Sequence, residues 1–177
     1  MTILLFGVSN VGKSTVGALL AHKLNFDFYD LDDEIKKKYC VSLEKFVSTG
    51  TLQERDKKRC RLLRSIVKRV ENKVVAVTPL SYADAIIPII NSPEVISIEL
   101  TDTPENIFAR LVFSDENDII YTDDDYKNQH KEHYLNEIHE DLAWYGSVYK
   151  NIPNKFFING KTPAEVANEI LQLYHLA

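Results

Sequence analysis

The sequence has little cysteine, no long apolar run and no excess of positive charge, and each shortage excludes a class of protein. Only Cys40 and Cys60 occur. They show no metal-type spacing and no disulfide framework, so each is expected to be a buried or idle thiol. No apolar stretch reaches the ~20 residues that a membrane span needs, and no basic, apolar, small-residue leader precedes the first apolar run. Lys and Arg number 21 against 26 Asp and Glu, a net charge of −5, which argues against a nucleic-acid partner. No repeat, low-complexity tract or interdomain linker interrupts the 177 residues, a length that suits one compact domain. What remains is a globular domain, 45% hydrophobic and 27% charged, expected as a monomer in a reducing, cytoplasmic compartment.

The apolar residues that are present alternate between two patterns. Short strand-like runs are expected over 3–6, 26–29, 74–77, 95–98 and 156–158. Between them lie helix-like stretches over 14–24, 33–39, 43–48, 53–70, 82–90 and 104–113, and a last one from Pro163 to about Tyr174. Regular alternation of β and α units implies a five-stranded parallel sheet flanked by helices on both faces, in one domain spanning 1–177.

One segment is short of basic residues. Between Arg110 and Lys127 there is none, while Asp123, Asp124 and Asp125 form an acidic triplet. A solvated loop leading into an exposed helix is the plain expectation. A mobile flap over a ligand site, at about 114–126, is the sharper one.

Gly7-Val8-Ser9-Asn10-Val11-Gly12-Lys13-Ser14 fits G-x-x-x-x-G-K-[ST], and it joins an expected strand to an expected helix. Glycines let the backbone curl until successive N–H groups face phosphate oxygens, and the helix N-terminus adds partial positive charge. Gly7, Asn10, Val11, Gly12, Lys13, Ser14 and Thr15 are therefore candidate ligands of a nucleoside triphosphate. Lys13, expected to face solvent in the empty loop, would reach the β- and γ-phosphates, and the Ser14 hydroxyl would ligate Mg²⁺. Asp30 and Asp32 follow the second expected strand, beyond whose carboxyl end an α/β ligand crevice lies. In a continued strand both would point the same way. Asp30 would then support Mg²⁺ and Asp32 would accept a proton from an attacking hydroxyl. Equally, the acids from Asp32 to Glu34 suit the N-cap and first turn of a helix.

With these residues in place, the sequence resembles the shikimate kinase family of P-loop small-molecule kinases. The P-loop carries the resemblance, together with Gly17 to Ala21, Asp30-Leu31-Asp32, Gly50 to Arg55, Pro104 to Leu111 and Lys161-Thr162-Pro163. It implies a fold of nucleoside-monophosphate-kinase type and transfer of the ATP γ-phosphoryl group to a hydroxyl of shikimate. It also places Arg55 on a substrate carboxylate, and Arg110, Lys161 and Pro163 around the adenine. Catalysis would rest on Lys13, Asp32 and Arg55, with Mg²⁺ on Ser14 and Asp30.

Four departures accompany the likeness. Pro79-Leu80-Ser81 stands where the family has three glycines. The 114–126 stretch lacks the family's lid arginine, Asp141 stands in place of a later substrate arginine, and Lys58 in place of a glutamate. A carboxylate substrate would lose charge-assisted hydrogen bonds, so shikimate is expected to be a poor substrate. Arg59 would compensate only if its helix turned it inward. The alternatives are a kinase of this fold acting on a different alcohol and a nucleotide-binding module with little transferase activity. His130, His133 and Glu137 would share a helix face as a metal site, or stand solvated. Trp144, Tyr145 and Tyr149 would line a pocket or pack the core.

Overall fold

A computed structural model describes every residue except Ala83, Ala85 and Ala177. Five parallel strands form the sheet: β1 (Thr2–Phe6), β2 (Asp27–Asp30), β3 (Lys73–Ala76), β4 (Val95–Thr101) and β7 (Asn154–Phe157), in the order β2-β3-β1-β4-β7. All five residues of the central β1 are buried, as expected of a strand covered on both faces. One face packs Leu4, Phe6 and Val75 against Leu31, Leu63 and Tyr149. The other packs Ile3, Leu5 and Val74 against Val16, Leu20 and Val166. Alternation along β1 thus feeds two separate cores.

The helices are α1 (Lys13–Leu24), α2 (Leu31–Tyr39), α3 (Leu43–Val47), α4 (Leu52–Val67), α5 (Ile87–Ile90), α6 (Pro104–Ala109), α7 (Asp124–Gln129), α8 (Lys131–Val148) and α9 (Pro163–Leu173). Thr51 and Thr162 open α4 and α9 with capping boxes completed by Glu54 and Glu165, which satisfies backbone donors that the first helical turn leaves free. Among the described residues no helix is long and apolar enough to cross a membrane.

Three expected spans change. The helix over 104–113 stops at Ala109, because Phe113–Ser114 (β5) pairs antiparallel with Ile120–Tyr121 (β6). The Phe113 ring packs among Tyr121, Tyr126 and Tyr134, at 5.7, 5.8 and 5.9 Å between centroids. The basic-poor segment is therefore a hairpin followed by α7 rather than an open loop. Of the helix over 82–90, only α5 forms in the described residues, with Pro88 in its first turn, where the missing N–H does least harm. Ala83 and Ala85 lie outside them. Finally, β2 ends at Asp30, so Asp32 belongs to the first turn of α2.

Candidate active site

The loop between β1 and α1 is shaped by two glycines. Gly7 has φ +139°, and a Cβ there would stand 2.4 Å from the Leu100 carbonyl oxygen of β4. Gly12 has φ +110° and is the N-cap of α1. A side chain would clash at the first and strain the backbone at the second. Lys13 folds back over this loop. Its Nζ donates to the Gly7 carbonyl at 3.0 Å and to the Val8 carbonyl at 2.7 Å. It is buried rather than facing solvent, because those two carbonyls hold the ammonium against the loop.

Burial lowers the Lys13 pKa to about 8, against the opposing charges of Asp32 and Asp30. A folded value below the unfolded 10.5 means that burying the ammonium opposes folding below about pH 8, and that this penalty is relieved between there and 10.5. Phosphate binding needs the ammonium. Mg·ATP is therefore expected to bind about tenfold more weakly at pH 9 than at pH 7, with proton uptake near pH 8. Calorimetry in two buffers of different ionisation enthalpy measures both, and flat affinity without uptake would contradict the placement of Lys13.

Asp30 holds two elements together. Its Oδ1 accepts the Asp32 N–H at 2.9 Å, capping α2, while its Oδ2 accepts the Ser14 hydroxyl at 2.5 Å. Capping and the proposed cation role thus fall on one carboxylate. Ser14 and Asp30 present paired oxygen donors beside the loop, the donor type that a hard cation such as Mg²⁺ takes. Asp32 Oδ1 accepts the Thr78 hydroxyl at 2.6 Å. Desolvation pushes the Asp32 carboxyl above its ordinary range, although the Thr78 hydrogen bond and the charges of Arg59 and Lys13 pull the other way.

These groups meet in a cleft of about 870 Å³. Asn10, Gly12, Lys13, Ser14, Thr15, Asp30, Asp32 and Arg110 line it, with Lys36 from α2, Thr78 and Pro79 after β3, and Phe113, Ser114, Asp118 and Ile120 of the hairpin. The hairpin is tied down at its tip, where the Asp118 carboxylate accepts the Leu43 N–H at 3.1 and 2.9 Å. Gly7 and Val11 lie behind the lining, and Arg55, Lys161 and Pro163 lie outside it. Arg55 donates to the Gly50 carbonyl at 2.8 Å. Lys161 pairs with Glu169 at 2.6 Å.

Sequence reading missed Asp102, at the end of β4. One oxygen accepts the Thr103 N–H and the Asn106 amide, both at 2.8 Å, and the other accepts Arg110 at 2.6 Å. The Gly160 N–H approaches the same carboxylate at 3.3 Å. Burial would raise the Asp102 pKa, but the Asn106 and Arg110 contacts outweigh it and hold the carboxyl low. Asp102 thus fixes Arg110 and the loop before Pro163 to one anchor. Its place just beyond a strand's carboxyl end was the available signal.

The other motifs separate. No cluster of three or more His, Cys, Asp or Glu suits a metal among the described residues. His133 only approaches Glu137, at 3.5 Å on an exposed face. Tyr149 is buried against Phe6, whereas Trp144 is exposed. Both cysteines are free.

Comparison with known proteins points to one family. The sequence model of the family described as shikimate kinase matches residues 9–175. The shikimate kinase of Persephonella marina is 31% identical over 171 residues, 96% of each chain. A probable gluconokinase of Rattus norvegicus is 68% identical over only 31 residues, 18% of this chain and 17% of that protein. The crystal structure of shikimate kinase from Bacteroides thetaiotaomicron superposes with a TM-score of 0.80 over 99% of this chain and 98% of that one, at 19% identity. The chain belongs to the shikimate kinase family and has its P-loop fold.

Proposed function

We propose that the protein transfers the γ-phosphoryl group of Mg·ATP to a hydroxyl of a small molecule. One observation carries this reading: Lys13, Ser14, Asp30 and Asp32 converge beside a P-loop at one side of a cleft that Arg110 also lines. Lys13 exchanges the Gly7 and Val8 carbonyls for phosphate oxygens. Ser14 and Asp30 would hold Mg²⁺, which supplies charge neutralisation on the phosphates when bound. Asp32, its carboxyl raised by desolvation, accepts the proton of the acceptor hydroxyl as the new O–P bond forms and ADP leaves. Arg110, with Lys161 and Pro163, brackets the base. Arg55 would leave the Gly50 carbonyl to grip the acceptor, and the β5–β6 hairpin acts as a lid. Rate enhancement then comes mainly from positioning and electrostatics.

A second reading, a nucleotide-binding module with little transferase activity, is favoured by the hairpin: no basic residue stands between Arg110 and Lys127. Measuring ADP release from Mg·ATP with and without a panel of small alcohols separates the two. Acceptor-dependent release is expected. Tight nucleotide binding with no dependence on any alcohol would favour the second reading.

A further inference from the structure

Three successive residues after β3, Pro79, Leu80 and Ser81, offer an incoming anion no free backbone donor. Pro79 has no N–H. The Leu80 N–H donates to the Tyr149 hydroxyl at 2.9 Å, and the Ser81 N–H to Asp56 Oδ2 at 2.8 Å. Two of the cations nearby, Arg59 and Lys36, are also engaged by carboxylates. Helix α4 does turn Arg59 inward, where its charge bears on Asp32 and on Tyr145, but it is spent on Asp56. Arg59 Nη1 meets Asp56 Oδ1 at 3.1 Å, and both residues are buried. Lys36, on the cleft wall, pairs with Asp33 at 2.7 Å. A carboxylate entering here would have to displace an internal carboxylate or stand beside one.

Hydroxyl groups meet no such conflict. Asp32 and Asp33 both line the cleft, beside Thr78 and Pro79. The carboxylates of Asp32 and Asp33 would each take a hydroxyl proton.

Building on the phosphotransfer reading above, we propose that the acceptor is an uncharged polyol, bound beside Asp32 against the 78–81 turn, and not a carboxylate.

The test uses matched pairs that differ only in the acid group: shikimate against the same ring with CH₂OH in place of its carboxylate, and gluconate against glucitol. ADP release is measured on the full chain with saturating Mg·ATP, and binding of each compound beside Mg·ADP is followed by ligand-observed NMR. The neutral member of at least one pair is expected to be favoured about ten- to a hundredfold in kcat/KM, or in affinity where turnover is slow. Equal use of both members, preference for the carboxylate, or binding of none of the four would overturn the proposal. Calorimetry with Mg·ATP alone keeps its failure distinct. Absent nucleotide binding sinks the phosphotransfer reading itself, whereas intact binding with a preferred carboxylate sinks only the acceptor class.

Discussion

Asp32→Asn is expected to lower kcat by about 10²- to 10⁴-fold, the range a positioned general base contributes, while leaving the affinity for Mg·ATP nearly unchanged. Asparagine keeps the size of the side chain and an oxygen for the Thr78 hydroxyl, which reaches Asp32 at 2.6 Å. It loses only the ability to hold the acceptor's proton. The wild-type rate should fall as pH drops through the Asp32 pKa, which desolvation places above the ordinary carboxylate range, and the variant should lose that limb of the profile. Steady-state rates across pH for both proteins measure it. A variant with wild-type kcat would show that Asp32 merely opens α2.

Lys13→Ala should cost about 10²- to 10³-fold or more in kcat/KM for Mg·ATP, as when a preorganised donor to developing charge is removed, and should weaken nucleotide binding. The side chain is buried on the Gly7 and Val8 carbonyls, so the variant trades two charge-assisted hydrogen bonds for relief from a desolvated ammonium. These oppose each other, and thermal unfolding is expected to shift little. Calorimetry and a melting curve on the same preparation separate a binding defect from a folding one. Unchanged ATP affinity in a folded variant would remove the P-loop assignment.

Local chemistry was legible in the sequence wherever it was contiguous. The P-loop occupies adjacent residues between a strand and a helix, and both its glycines prove to be conformational necessities at φ +139° and +110°. The alternation of strands and helices likewise predicted the parallel sheet, because burial on both faces leaves a continuous apolar run in β1. Long-range pairings were not legible. Asp102 joins Arg110 to Gly160 across the fold, and no local pattern marks a carboxylate for that task. The β5–β6 hairpin also escaped notice, since its strands are two residues each and are set by ring packing around Phe113 rather than by periodicity. Arg59 shows the same limit: a basic helix face reads as solvated until the fold reveals which arginine turns inward.

The two hydrogen bonds that Asp30 accepts make it a strut between two helix starts. One oxygen holds Ser14 at the head of α1, and the other holds the Asp32 amide at the head of α2. The spacing between the phosphate-gripping end of the cleft and the proposed base is therefore set by one short side chain with two rotatable bonds, without relying on the intervening chain. Little conformational search remains between the two reacting sides once both are filled, which is the source of high effective molarity. Lengthening that strut, as in Asp30→Glu, would leave every charge in place and still spoil the alignment.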